Sequence, residues 1–172
     1  MEIVSSFLSG LASLLEVLAK TGVLAVVVAI SGWVFVYKNS RALQKRSETW
    51  AIVKNISDLL KDIESSSRGF WLPNDEKFTN QRSYQAEINE GLAELERWME
   101  HLMLRINNKK LLDDTYKDTI VKIFRDATYN MEQAGSTSEV QRMRITSTVS
   151  RHTKIMKERI DSAYEGEFFK KH

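Results

Sequence analysis

The chain has no cysteine, a single proline (Pro73) and three histidines among its 172 residues. Without cysteine there can be no disulfide and no thiolate metal site, a composition compatible with a reducing compartment. The histidines are His101, His152 and His172, and none of them pairs with another histidine or a carboxylate at metal-ligand spacing. Neither a zinc site nor a di-iron site is therefore expected, and no cofactor motif occurs. Strict apolar/polar alternation is also missing, which argues against strands. A formal net charge of +2 is too small to make nucleic acid the expected partner.

What the chain does have is an uncharged stretch, TGVLAVVVAISGWVFVY, over residues 21–37 between Lys20 and Lys38. As a helix it covers about 25 Å, the short end of what a hydrocarbon core of ~30 Å requires. Lys20 can snorkel, and Trp33 and Tyr37 suit an interface, so residues 21–38 read as a transmembrane helix. A cleaved signal peptide is not indicated: Glu2 replaces a basic n-region, and Lys20 interrupts the apolar run. Lys38, Arg41, Lys45 and Arg46 follow directly. They place the C-terminal part in the cytoplasm of a bacterial inner-membrane, single-pass protein, and contact anionic headgroups there.

Residues 1–20 read as an amphipathic, membrane-associated helix. Val4, Phe7, Leu8, Leu11, Leu14, Leu15 and Leu18 fall on one arc, with Ser5, Ser9, Ala12, Ser13, Glu16 and Ala19 opposite. Glu16 and Lys20 have the favourable i, i+4 order for pairing. Within the uncharged stretch Gly22, Ala25, Ala29 and Gly32 make a strip where another helix can approach closely, which favours self-association. At ~100° per residue this strip lies roughly 140° from the small arc of residues 5–19. A bend near Thr21 and Gly22 is therefore expected, with the first helix on or dipping into the outer leaflet. In an oligomer, Ser9, Ser13 and Glu16 could face a polar path; the alternative is that the strip only permits dimer packing and Glu16 rests at the headgroups.

The remainder predicts four helices. Residues 39–64 form a stalk and first bundle helix, with Ile52, Val53, Ile56, Leu59, Leu60 and Ile63 on one face. Residues 65–81, with three serines, Gly69 and Pro73, read as a loop. Residues 82–165 supply the rest of the bundle and 166–172 a tail. In the second helix Tyr84, Ile88, Leu92, Leu95, Met99, Leu102 and Ile106 recur at steps of three and four. The third, from about Leu112 to Ala134, places Tyr116, Ile120, Phe124, Ala127, Met131 and Ala134 on one face, with Gly135 as its C-terminal cap. Ser138 and Gln141 form a capping box for the last helix, which buries Ile145, Val149, Ile155, Met156, Ile160 and Ala163. The fold class is all-α: an N-terminal membrane helix element followed by a cytoplasmic antiparallel bundle of about four helices.

Catalytic machinery is not apparent. His152 sits on the apolar face of the last helix, where a histidine is usually a hydrogen-bonded core residue and less often a pH sensor. The arginine–histidine spacing of HEPN ribonucleases is absent: the positions five to seven before His101 are Glu96, Leu95 and Glu94, and before His152 they are Ser147, Thr146 and Ile145. Arg142, Arg144, Arg151, Lys154, Lys157 and Arg159 make the last helix basic, diluted by Glu139, Glu158 and Asp161, which reads as a solvated face. Phe70, Trp71 and Leu72 stand out in a polar segment and either tuck back onto the bundle or offer a hydrophobic contact to a partner.

In layout, a short membrane segment joined to a compact cytoplasmic domain, the chain resembles the small transmembrane effectors and accessory proteins of bacterial antiphage defence systems. That resemblance implies a non-enzymatic membrane protein that homo-oligomerises and perturbs the bilayer once a cytoplasmic trigger or protein partner acts on its helical domain. A passive membrane tether or scaffold, recruiting a cytoplasmic protein, is the alternative.

Overall fold

A computed structural model describes residues 2–20, 22–73, 80–106 and 115–169, with the side chains of the first helix described at 8, 10–17 and 20. Among the described residues the structure is helical and contains no strand. The elements are α1 (Glu2–Lys20), α2 (Val23–Trp71), α3 (Gln81–Arg105), α4 (Thr115–Ala127), a 3-10 helix (Met131–Ser136) and α5 (Glu139–Phe168). They divide into two compact units, Met1–Arg46 and Ser47–His172.

In the first unit α1 and α2 are separated at Gly22, whose φ of +71° lies in the left-handed region that residues with a Cβ rarely adopt. Its carbonyl still accepts from Val26 N–H at 3.2 Å, so Gly22 both breaks the chain direction and starts α2. Thr21 and the side chains of Val4, Phe7, Ser9, Leu18 and Ala19 lie outside the described residues.

The second unit is organised around one apolar core to which α2, α3, α4 and α5 all contribute. From Ser47 on, α2 buries Thr49, Ile52, Val53, Ile56, Leu60, Ile63, Ser67, Phe70 and Trp71. The helix does not stop at residue 64, and the loop expected over 65–81 is shorter by its first seven residues. The three serines and Gly69 lower helix propensity by under about 1 kcal/mol each, whereas burying Phe70 and Trp71 stabilises by several. Tertiary packing therefore overrides the local signal. Residues 74–79 of that expected loop lie outside the described residues.

α3 begins with Asn80 as N-cap, its side chain accepting from Arg82 N–H at 3.0 Å. The helix buries Tyr84, Ile88, Leu92, Leu95, Met99 and Leu102, and Ile106 at its C-cap is buried too. Gly91 marks a close approach to α2: a Cβ there would lie 3.2 Å from Ile63 Cγ1.

α4 differs from the sequence reading in phase and length. Its buried face is Tyr116, Thr119, Ile123 and Ala127, while Phe124 is exposed and Ile120 only half-buried. Thr119 can enter the core because its hydroxyl donates to the Thr115 carbonyl at 2.9 Å, so no polar group is stranded. The helix ends at Ala127 rather than 134, and Gly135 sits inside the 3-10 turn instead of capping it. Asn130, at φ +50°, makes the break, a conformation asparagine tolerates better than most residues. Leu112, the expected start, lies outside the described residues.

Ser138 caps α5, accepting from Gln141 N–H at 3.4 Å. α5 then continues to Phe168, beyond the residue-165 boundary read from the sequence, and buries Ile145, Val149, Thr153, Met156, Ile160, Ala163 and Tyr164. Ile155 is half-buried, its expected place being taken by Thr153, which donates to the Ser150 carbonyl at 2.9 Å.

Candidate functional site

The first unit presents the apolar surface. α2 is the one described helix long and apolar enough to cross a membrane, and none of its most apolar window is buried. Every residue from Val23 to Gln44 is exposed, including Val26, Val27, Val28, Ile30, Trp33, Phe35 and Val36. In water such a face costs roughly 25 cal/mol for each Å² left uncovered, so it requires lipid or protein around it.

At the charged end of this stretch the side chains stack in order. Trp33 and Tyr37, one turn apart, lie with ring centroids 5.5 Å apart and 15° between planes. The Arg41 guanidinium sits 5.6 Å from the Tyr37 centroid, one turn further on. An amphipathic aromatic pair followed by a cation is the arrangement that suits a hydrocarbon–water boundary. Lys38 and Lys45 are exposed beside them and Arg46 is half-buried. Lys45 and Arg46 are engaged within the chain, whereas Lys38 and Arg41 follow the aromatic pair directly and are exposed.

The small-residue strip divides. Gly32 has no heavy atom within 4 Å of where a Cβ would stand, and Ala25 and Ala29 are exposed on the same face. Gly22 belongs to the break before α2, so its requirement for glycine is set by the backbone. On α1, Glu16 accepts from Lys20 Nζ at 2.9 Å. The Ser13 hydroxyl turns back to its own helix and donates to the Gly10 carbonyl at 2.9 Å. Of the three residues expected to face a polar path, Ser13 is thus satisfied internally, Glu16 is ion-paired, and the Ser9 side chain lies outside the described residues.

In the second unit the hydrophobic triplet is not a surface feature. Phe70 and Trp71 are 2% and 0% exposed, and only Leu72 is half-buried. Phe70 stacks on Tyr84 at 4.1 Å with 2° between planes, and Trp71 meets Phe70 edge-on at 5.2 Å. A partner cannot reach Phe70 or Trp71 without opening the core, so of the two alternatives these two residues follow the one in which they tuck back onto the bundle. Trp71 Nε1 and the Tyr84 hydroxyl both donate to the Ala127 carbonyl, at 2.9 and 3.0 Å. Burial raises the Tyr84 hydroxyl above its ordinary value of 10.0, opposed by the Ser67 hydroxyl and the Trp71 indole and reinforced by the charge of Glu87.

His152 has a partner that its own helix does not supply. Its Nε2 lies 3.2 Å from Asp126 Oδ2 on α4, both side chains being largely covered at 17% and 19% exposure. Arg125 Nε reaches the other Asp126 oxygen at 3.3 Å. This pair forms part of the lining of an open cleft of about 790 Å³ between α4, the connection after it and α5. Lys122, Arg144 and Arg151 line the same cleft. The sequence carried a trace of it in the helical steps Gln141, Arg144, Thr148 and Arg151, but nothing local linked that stripe to Lys122 or Asp126. Among the described residues no three His, Asp or Glu side chains gather in a way that could hold a metal ion.

No family model, curated protein or solved structure matches this chain.

Proposed function

We propose that the chain is a non-enzymatic protein of the bacterial inner membrane that self-associates and perturbs the bilayer when its helical domain is triggered, as abortive-infection antiphage effectors do. The observation that carries this reading is the unbroken exposed apolar surface of α2 from Val23 to Tyr37, ended by the Trp33–Tyr37–Arg41 stack. In this reading that segment makes one pass, and the basic residues from Lys38 to Arg46 keep the C-terminal domain cytoplasmic. Copies associate along Ala25, Ala29 and Gly32, with Lys38 and Arg41 on lipid headgroups. The later part of α2 with α3, α4 and α5 forms an antiparallel bundle of about four helices that receives the trigger.

Membrane potential tests the proposal. Inducible expression in bacteria, with and without phage challenge, is followed with a potential-sensitive dye, and the chain is located by fractionation and carbonate extraction. Depolarisation by a carbonate-resistant membrane protein is expected. A resistant protein that never depolarises cells would leave the passive tether, and a carbonate-soluble one would overturn the membrane reading altogether.

A further inference from the structure

The cleft between α4 and α5 is lined by four basic side chains, Lys122, Arg125, Arg144 and Arg151, against a single described carboxylate, Asp126. Asp126 is its acidic member, and its two oxygens are already taken by His152 at 3.2 Å and Arg125 at 3.3 Å. Lys122, Arg144 and Arg151 line the same space, and none of them has a carboxylate partner among the described residues. Two other cations of α5 are engaged: Arg142 Nε donates to the Thr137 carbonyl at 2.8 Å, and Lys154 lies 3.9 Å from Glu158. Three uncompensated positive charges around one concavity repel each other in the folded chain, a cost that a bound anion converts into attraction.

The cleft is not uniformly polar. The Asp126–His152 contact sets its register: Lys122 lies one turn before Asp126 on α4, and Arg151 adjoins His152 on α5. Tyr129 lies beyond the last turn of α4 and Val140 in the first turn of α5. Tyr129 is 51% exposed and Val140 79%, so an aromatic and a branched aliphatic side chain stand uncovered on the rim of a cationic cleft. Guanidinium and ammonium groups take phosphate oxygens, and an exposed aromatic ring takes the face of a base. The volume of about 790 Å³ falls within the range of sites that enclose small ligands.

We propose that this cleft is a binding site for a nucleotide, with its phosphates on Lys122, Arg144 and Arg151 and its base against Tyr129 and Val140. The contacts of Asp126 with His152 and Arg125 keep the one carboxylate among the described residues of the cleft engaged, which lessens its repulsion of the phosphates. The site stands on the geometry of the second unit and does not depend on the membrane reading.

The test uses the full chain in detergent micelles, titrated with the fluorescent nucleotide mant-ATP in EDTA and competed with ATP, inorganic pyrophosphate and adenosine. Saturable binding is expected, displaced by ATP best, by pyrophosphate less well and by adenosine weakly. Arg144→Ala and Arg151→Ala should each weaken ATP at least tenfold. Tyr129→Ala should weaken ATP several-fold while leaving pyrophosphate unchanged, and Lys154→Ala, outside the cleft, should leave both unchanged. Thermal unfolding of each variant verifies that the fold is retained, and Arg144→Lys, which keeps the charge, should bind between wild type and Arg144→Ala. No saturable binding at millimolar nucleotide would overturn the site. Equal losses in Lys154→Ala and Arg151→Ala, or single-stranded RNA binding far tighter than ATP through residues outside the cleft, would overturn it as well.

Discussion

Trp71 and Tyr84 share one acceptor: the indole of the first and the hydroxyl of the second both donate to the carbonyl of Ala127, at 2.9 and 3.0 Å. Ala127 is the last residue of α4, and the final carbonyls of a helix have no partner within it. The end of α2 and the beginning of α3 therefore supply the cap that α4 lacks. The stacking of Phe70 on Tyr84 fixes both donors in place.

That arrangement predicts a non-additive pair. Trp71→Phe and Tyr84→Phe should each cost only about 0.5–1.5 kcal/mol through this contact, because the other donor still satisfies the carbonyl. The double variant should cost more than their sum by about 1 kcal/mol, since it strands a buried acceptor. Denaturant unfolding of the full chain in detergent measures all three, and simple additivity would show that the shared acceptor does not matter.

Tyr84 also predicts alkaline sensitivity. Its folded-state value is raised above 10.0, so the neutral hydroxyl is favoured in the folded chain. Its contribution is fully present below pH ~10 and is lost as pH rises through the higher folded value, because the unfolded chain releases the proton first. Wild type minus Tyr84→Phe, as melting temperature against pH from 8 to 11.5, should be flat to about pH 10 and then decline. A flat difference across the whole range would contradict the assignment.

Glu64 joins α2 to α5. It accepts from the Ser150 hydroxyl at 2.8 Å and lies 3.4 Å from the Thr153 hydroxyl, whose one proton is shared with the nearer Ser150 carbonyl. Glu64→Ala should lower stability by about 1–3 kcal/mol, and Glu64→Gln, which keeps an acceptor, by less than half of that. If the two variants unfold alike, the bridge contributes nothing specific.

Substitutions along the membrane strip should separate a steric effect from a backbone one. Leucine at Ala25, Ala29 and Gly32 is expected to abolish cross-linked oligomers and depolarisation without changing membrane insertion. Gly22→Ala should also weaken function, but through its positive φ, at about 1 kcal/mol, and Gly22→Asn should retain more activity than Gly22→Ala. Equal behaviour of alanine and asparagine at this position would refute the backbone explanation.

How much of this was readable depends on where each residue finds its partners. α3 was legible because its buried positions, Tyr84 to Leu102, are all apolar and follow one helical period. The face of α4 was not, since Thr119 enters the core by satisfying its hydroxyl against Thr115, which a count of apolar residues passes over. Of the serines that suggested a loop, Ser66 donates to Glu87 on α3, while Ser67 is carried into the core by the burial of its neighbours Phe70 and Trp71, its hydroxyl without a hydrogen-bond partner among the described residues. That α2 carries a stretch long and apolar enough to cross a membrane could be read from composition alone, yet the special role of Gly22 lies in a dihedral angle. As for the α4–α5 cleft, Asp126 and His152 are separated by a connection whose path no local pattern announces, and the basic stripe on α5 looked diluted because Glu139, Glu158 and Asp161 lie among its cations, although none of the three lines the cleft.

The break at Gly22 acts as a depth gauge. Where α1 stops at Lys20 and α2 starts at Val23, the last carbonyls of one helix and the first N–H groups of the next lie beyond the regular intrahelical pairing. Hydrocarbon cannot solvate such groups, each costing several kcal/mol there, whereas water and phosphate headgroups can. In a bilayer the joint must therefore ride at the wet boundary, with the Lys20–Glu16 pair beside it and the Trp33–Tyr37–Arg41 stack marking the opposite one. For the single pass proposed above, the tolerated membrane thickness would be fixed between these two structural marks, and bilayers of graded acyl-chain length offer a direct ruler for it.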